Sequence, residues 1–186
     1  MKITTTFDVI IVGGGLAGLT SAIHLSSRKK RVLLIEKNEY PKHKVCGEYI
    51  SNEVLPYLNS LGINPINEGA KQITKVHIST TKSNLIKGEL PLGGFGMSRY
   101  FLDNLLVKKA RLNGVQILKD TVDSIHFKKD SFTITTKSSG VFQSKITIGA
   151  FGKRSSLDQK MKRKFIQKKS PYLAVKIHVK GVFPEN

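Results

Sequence analysis

The chain has 186 residues, 39% of them hydrophobic, enough to fill the core of one domain or a little more, so composition excludes a disordered chain. It carries 31 basic and 13 acidic residues, a formal net charge of +18, but the basic residues are spread along the chain rather than interleaved with aromatics, which argues against a nucleic-acid stacking platform. Cys46 is the single cysteine, so no intramolecular disulfide can form, and no apolar run approaches the ~20 residues of a membrane span. These features predict a soluble, cytoplasmic protein with no nucleic-acid partner. The charge leaves room for a peripheral contact with an anionic membrane.

Phe7 to Val12 (FDVIIV) is a short apolar, β-branched run of the kind that forms a buried parallel strand. Leu16 to Ser27 reads as a helix with Leu16, Leu19 and Ile23 on one face, and Arg31 to Ile35 (RVLLI) as a second buried strand. Strand, glycine turn, helix and strand within this span make a βαβ unit. Lys37 to Gly47 is a polar loop, and Asn52 to Leu61 a helix with Ser51 as its N-cap. Ile73 to Thr80 and Asn84 to Leu90 are expected as antiparallel strands, followed by Gly93-Gly94-Phe95-Gly96 as a loop or turn.

Ser98 caps the helix Arg99 to Leu112, which ends at Asn113-Gly114. Val115 to Leu118 is a further short strand. Thr121 to Phe127, Ser131 to Lys137 and Val141 to Phe142 form a small β-meander with turns at Lys129-Asp130 and Ser139-Gly140. Lys145 to Gly149 is another buried strand, and Tyr172 to Val179 alternates as a strand that begins something new. The predicted class is α/β: a Rossmann-like βαβ unit in a parallel sheet, with an inserted antiparallel region (about residues 66–97), a small meander and the start of a further domain from residue 171.

The run Gly13-Gly14-Gly15-Leu16-Ala17-Gly18 fits G-x-G-x-x-G with a strand before it and a helix opening inside it. Gly13 allows the tight turn, Gly15 lets backbone approach a pyrophosphate, and Gly18 lets the helix lie close on the strand. The pyrophosphate then sits at the helix N-terminus beside the backbone of Leu16 and Ala17, where the dipole favours an anion. Glu36 ends the second strand, close to the ~20-residue spacing of the acidic residue that holds the ribose hydroxyls, with Lys37 next to it. A carboxylate there disfavours a 2′-phosphate. The motif by itself suits FAD or NAD. A nicotinamide dehydrogenase should return at once to a third parallel strand, and no strong apolar β-run occurs between Lys37 and Gln72, which favours FAD.

Three stretches carry a family resemblance: DVIIVGGGLAGLTSAIHLSSRKKRVLLIEK (Asp8 to Lys37), PKHKVCGEYIS (Pro41 to Ser51) and MSRYFLDNLLVKKARLNGVQIL (Met97 to Leu118). The chain resembles the FAD-dependent monooxygenase, halogenase and geranylgeranyl-reductase superfamily, whose FAD-binding fold is of the glutathione-reductase type. The resemblance implies that Lys44, Cys46 and Gly47 lie near the flavin ring, that Arg99 contacts FAD, that Val122 meets the adenine, and that the glycines of Gly149-Ala150-Phe151-Gly152 approach the cofactor. Phe151 stands where the family has an aspartate that serves the cofactor site and its nicotinamide contacts. The resemblance implies an FAD-binding oxidoreductase acting on a small-molecule or lipid substrate, with NAD(P)H as an allowed electron donor, and an N-terminal part of a longer flavoenzyme: residues 1–170 as the FAD-binding domain and 171–186 as the first strand of a substrate domain. A catalytically inactive nucleotide-binding fragment and an NAD-dependent dehydrogenase are the alternatives. The five histidines show no metal-ligand spacing, so no metal is expected.

Overall fold

The computed structural model describes residues 5–153, 155–167, 172–173 and 175–182. Two compact units emerge, one built from Met1–Lys42 and Asp103–Tyr172, the other from His43–Leu102 and Leu173–Asn186.

The first unit holds β1 (Thr5–Val12), α1 (Leu16–Ser27), β2 (Val32–Glu36), β6 (Gln116–Lys119), β7 (Val122–Lys128), β8 (Ser131–Thr136), β9 (Val141–Gly149) and α4 (Ser156–Lys160). Its six-stranded sheet has the order β6-β2-β1-β9-β8-β7. Strands β6, β2, β1 and β9 run parallel, in registers such as Ile11 opposite Leu34 on one side and Ile148 on the other. Strands β8 and β7 continue the sheet antiparallel to β9. The meander and the parallel sheet are thus one sheet, because Val141–Phe142 and Lys145–Gly149, expected as separate strands, form a single β9. The first half of β9 pairs with β8 through Val141 to Ser144, and its second half reaches on alongside β1 as far as Gly149.

The apolar runs end up where their pattern requires. Ile10, Ile11, Leu34, Leu19, Ala22 and Ile23 are fully buried, which puts one face of α1 on the β1–β2 surface. Phe7, Ile10, Val12, Leu33, Ile35, Val122, Ile134 and Leu157 form one core cluster. Each such side chain contributes about 1.5–3 kcal/mol on leaving water. The turn between β7 and β8 has Lys129 and Asp130 at φ 50° and 55°, the left-handed pair a two-residue hairpin needs.

The second unit holds β3 (Tyr49–Ser51), α2 (Leu55–Ser60) after a short 3₁₀ turn (Asn52–Val54), β4 (Lys71–Ser79) and β5 (Leu85–Gly96) in a three-stranded antiparallel sheet of order β3-β5-β4. The division between units falls inside α3 (Arg99–Leu112), whose first turn is capped by Ser98 accepting from the Phe101 N–H at 3.2 Å. Two sequence expectations are corrected here. Gly93-Gly94-Phe95-Gly96 is not a loop but the end of β5, paired with both β3 and β4, and Phe95 is fully buried. The glycines serve close packing: a Cβ at Gly94 would stand 2.4 Å from the Tyr49 ring. The strand expected over Tyr172 to Val179 is absent from its described residues, and Tyr172, Leu173, Val175, Ile177 and Val179 are all exposed. An alternating pattern makes a strand only when a neighbour completes its hydrogen bonds.

Candidate functional site

The site is built at the carboxyl ends of β1 and β2, where an open parallel sheet places its ligands. Gly13 leaves β1 with φ 103° and donates its N–H to the Ile35 carbonyl at 2.8 Å. A Cβ there would lie 2.5 Å from the Ala150 carbonyl oxygen, so the end of β9 presses on this turn and excludes a side chain. Gly18, one turn into α1, would put a Cβ 1.9 Å from the Gly13 carbonyl oxygen. Gly15, by contrast, faces open space, with nothing within 4 Å of a Cβ. It is the N-cap of α1 in extended conformation, no side chain caps the helix, and the first turn has no acidic residue. The first N–H groups of Leu16, Ala17 and Gly18 have no partner within the helix and share the positive end of its dipole.

Glu36 closes β2 beside this turn. Its Oε2 accepts the Gly14 N–H at 2.7 Å, while Oε1 accepts the Asn38 N–H at 3.0 Å and the Asn38 side-chain amide at 2.6 Å. Tyr40 holds the next peptide group, donating its hydroxyl to the Gly14 carbonyl at 2.6 Å.

Gly13 and Glu36 border a cleft of about 230 Å³ that is also lined by Val12, Lys37, Asp120, Thr121, Val122, Phe151 and Ser155 to Leu157. That volume is below the roughly 300 Å³ at which pockets for whole drug-sized ligands begin, so the cleft suits a nucleoside portion of a cofactor. Asp120 has a structural task within it. Its carboxylate accepts from the Thr121 N–H at 2.6 Å, Ser139 N–H at 2.7 Å and Ser138 N–H at 3.1 Å, and so fastens the β8–β9 turn. Burial would raise its pKa, but the Ser139 side chain and these three N–H donors outweigh it and hold the carboxyl well below the usual range.

Gly149 and Gly152 line a second cleft of about 470 Å³ with Phe151, Lys153, Asp158 and Arg163. A Cβ at Gly149 would be 2.8 Å from the Phe151 ring, so this glycine makes room for Phe151.

Of the sequence-predicted residues, the first unit therefore carries Gly13, Gly15, Leu16, Ala17, Gly18, Glu36, Lys37, Val122, Gly149 and Gly152, and gathers Gly13, Glu36, Lys37 and Val122 around one cleft. Lys44, Cys46, Gly47 and Arg99 belong to the second unit. Lys44 to Gly47 have no regular structure and Cys46 is half-buried. Beside them Glu48 is a hub: it accepts the Arg99 N–H at 2.8 Å and pairs with Lys176 at 2.6 Å and His178 at 3.3 Å. Burial works to raise its pKa, but Lys176, the Arg99 N–H and His178 together hold it lowered. No group of three or more metal-ligating side chains occurs among the described residues. Sequence reasoning missed Tyr40, Asp120 and Ser155 to Leu157. Tyr40 sits in a polar loop without periodicity, and its one signal is a glycine at the free position of the motif.

A glycine turn opening a helix, with a carboxylate at the end of the next parallel strand, defines a dinucleotide-binding protein. Residues 8–45 match the family model described as FAD dependent oxidoreductase. The chain is thus related to the FAD-dependent oxidoreductases. It is 26% identical to a digeranylgeranylglycerophospholipid reductase of Methanococcus aeolicus over 81% of this chain and 39% of that protein. It is 32% identical to the FAD-dependent monooxygenase cle3 of Aspergillus versicolor over 86% of this chain and 35% of that protein. In fold it is similar to p-nitrophenol 4-monooxygenase PnpA of Pseudomonas putida, with a TM-score of 0.76 at 20% identity over 86% of this chain and 44% of that one. The flavin-dependent brominase Bmp2 gives 0.69 at 23% identity over 87% of this chain and 41% of that one. The chain spans about 40% of the length of the curated relatives it matches.

Proposed function

We propose that this chain binds FAD non-covalently through its first unit and serves a flavin-dependent oxidoreduction. One observation carries the reading: Gly13 of the glycine turn, Glu36 and Val122 line one nucleoside-sized cleft. In this reading the adenosine lies in that cleft with a ribose hydroxyl on Glu36. The pyrophosphate meets the α1 N-terminus in front of Gly15, where a Cβ would otherwise intrude on the phosphate. Lys37 adds a cation beside the ribose, and Leu16, Ala17 and Gly18 offer backbone N–H groups. Gly149 and Gly152, and in the second unit Lys44, Cys46, Gly47 and Arg99, are assigned to the cofactor on motif resemblance. When bound, FAD supplies the electron-transfer chemistry, and the chain's own residues bind and orient it.

The reaction is a reduction or a monooxygenation, in keeping with relatives named as a digeranylgeranylglycerophospholipid reductase and an FAD-dependent monooxygenase. The substrate is accordingly a lipid or another small molecule, and NAD(P)H is the proposed donor. Residues 1–170 are the proposed FAD-binding domain, and a substrate domain starts at 171. The single Cys46 accords with a cytoplasmic location, and the charge of +18 with contact to an anionic membrane surface. Phe151, in the position where the resembled family has aspartate, favours as a second reading a flavin binder without activity of its own.

The test is to purify the chain and measure bound flavin by absorbance and by release on heating. FAD near one per chain supports the reading, and NAD binding with no flavin affinity overturns it. Flavin reduction by NAD(P)H then separates an enzyme from a binder.

A further inference from the structure

The turn contains one glycine that the dinucleotide motif does not ask for. The second position of G-x-G-x-x-G is open to any residue. Here it is Gly14, and a Cβ on it would stand 1.6 Å from the Tyr40 hydroxyl oxygen. The peptide groups on both sides of Gly14 are also gripped. Its N–H donates to Glu36 Oε2 at 2.7 Å, and its carbonyl accepts the Tyr40 hydroxyl at 2.6 Å. Glu36 is itself fixed by two bonds from Asn38. Burial, with Glu36 and Asp103 near by, pushes the Tyr40 phenol well above its usual pKa, so it remains a donor at any physiological pH.

The consequence follows from peptide geometry. The Gly14 carbonyl and the Gly15 N–H belong to one planar trans peptide and point in opposite directions. A hydroxyl that holds the carbonyl therefore aims the Gly15 N–H the other way, towards the open space in front of α1. Without that bond the Gly14–Gly15 peptide, flanked by two glycines, is free to rotate, and the donor is lost in a large share of conformations.

We infer that Tyr40 is a positioning residue for the phosphate-binding turn, clamping the Gly14–Gly15 peptide so that the Gly15 N–H is preset for a diphosphate, and that residue 14 is glycine because the phenol occupies the place of its side chain. This rests on the nucleotide-binding reading above and adds to it a residue outside the motif.

The experiment uses the full chain and two probes, ADP and adenosine, titrated by calorimetry. Both probes offer the ribose and base, and ADP alone offers the diphosphate. Tyr40→Phe keeps the ring and removes the hydroxyl. It is expected to weaken ADP about tenfold, the worth of one well-made hydrogen bond, and to leave adenosine within about twofold. Equal weakening of both probes, or unchanged ADP affinity, overturns the clamp.

Gly14→Ala supplies the second arm. In the native background it should weaken ADP by about tenfold or more, because the methyl group evicts the phenol. In a Tyr40→Ala background the same change should cost clearly less, since the phenol is gone and only the Glu36 Cβ, 3.0 Å from the added Cβ, stays close. Losses of equal size in the two backgrounds overturn the steric part of the inference. A native chain that binds neither ADP nor FAD overturns the underlying reading and this inference with it, whereas a native chain that binds ADP with uncoupled variants sinks the clamp alone.

Discussion

Gly18 lies so close to Gly13 that a side chain on the first would stand 1.9 Å from the carbonyl oxygen of the second. The contact locks the start of α1 against the end of β1, and on the proposed function it sets the distance at which the helix N-terminus would meet the phosphate. Backbone cannot yield to a methyl group as a flexible side chain can. Gly18→Ala is therefore expected to cost about 1–3 kcal/mol of stability through forced displacement of helix from strand. FAD affinity should fall at least tenfold. Urea unfolding followed by tyrosine fluorescence, together with flavin titration, measures both effects, and an unchanged midpoint would contradict the packing described.

Glu36 bonds to the Gly14 N–H through Oε2 and to Asn38 through Oε1. Oε1 already takes two donors, so Oε2 has the one remaining lone pair that suits a ribose hydroxyl. Glu36→Gln should weaken ADP by about tenfold, because a charge-assisted bond is replaced by a neutral one and an amide now faces the Gly14 N–H. The same variant should narrow the preference for ADP over 2′-deoxy-ADP. Competition calorimetry reads both numbers, and an unaltered preference would remove Glu36 from the ribose.

Asp120 is a buried carboxylate bonded to three backbone N–H groups, and its folded pKa is depressed. A depressed carboxylate stabilises the fold above its unfolded pKa, about 3.9, and that contribution is lost as the pH falls through the folded value. Asp120→Asn should destabilise the chain at pH 7 by about 1–3 kcal/mol, since one acceptor becomes a donor facing N–H groups. The gap between native and variant urea midpoints should hold down to about pH 4 and close on further acidification. A gap that widens in acid would show that the carboxylate is not held this way.

Phe95 separates the sequence expectation from the structure. A phenylalanine in a glycine loop could be truncated at little cost. A fully buried ring in a strand paired on both sides should cost about 3–5 kcal/mol on Phe95→Ala. Thermal unfolding of the variant decides between the two, and a change below about 1 kcal/mol would return the segment to a loop.

Much of the first unit was legible because its signals are local. FDVIIV and RVLLI are strands by composition and the glycine spacing fixes the turn; in the second unit Ser98 likewise caps α3 as its position requires. Glu36 was legible for the same reason, since its distance along the chain from Gly13 follows from the length of one crossover helix. Phe95 was not, because Gly-Gly-Phe-Gly has the composition of a turn and becomes a strand only when Tyr49 lies over Gly94. The described residues of Tyr172 to Val179 fail in the opposite direction: their alternation is local, but the hydrogen bonds of a strand are not.

The amino-acid sequence by itself determined the βαβ unit, its glycine turn and the acidic residue that follows, because each depends on backbone freedom and apolar periodicity within about 30 residues. The tertiary structure alone decided which of the later residues join them. Val122, Asp120 and Ser155 reach the cleft only because β9 returns beside β1 and carries the meander and α4 with it. Tyr40 meets Gly14 only because a polar loop with no pattern of its own folds back over the turn. Contacts of that kind arise from the closing of a core around distant segments, and no spacing along the chain encodes them.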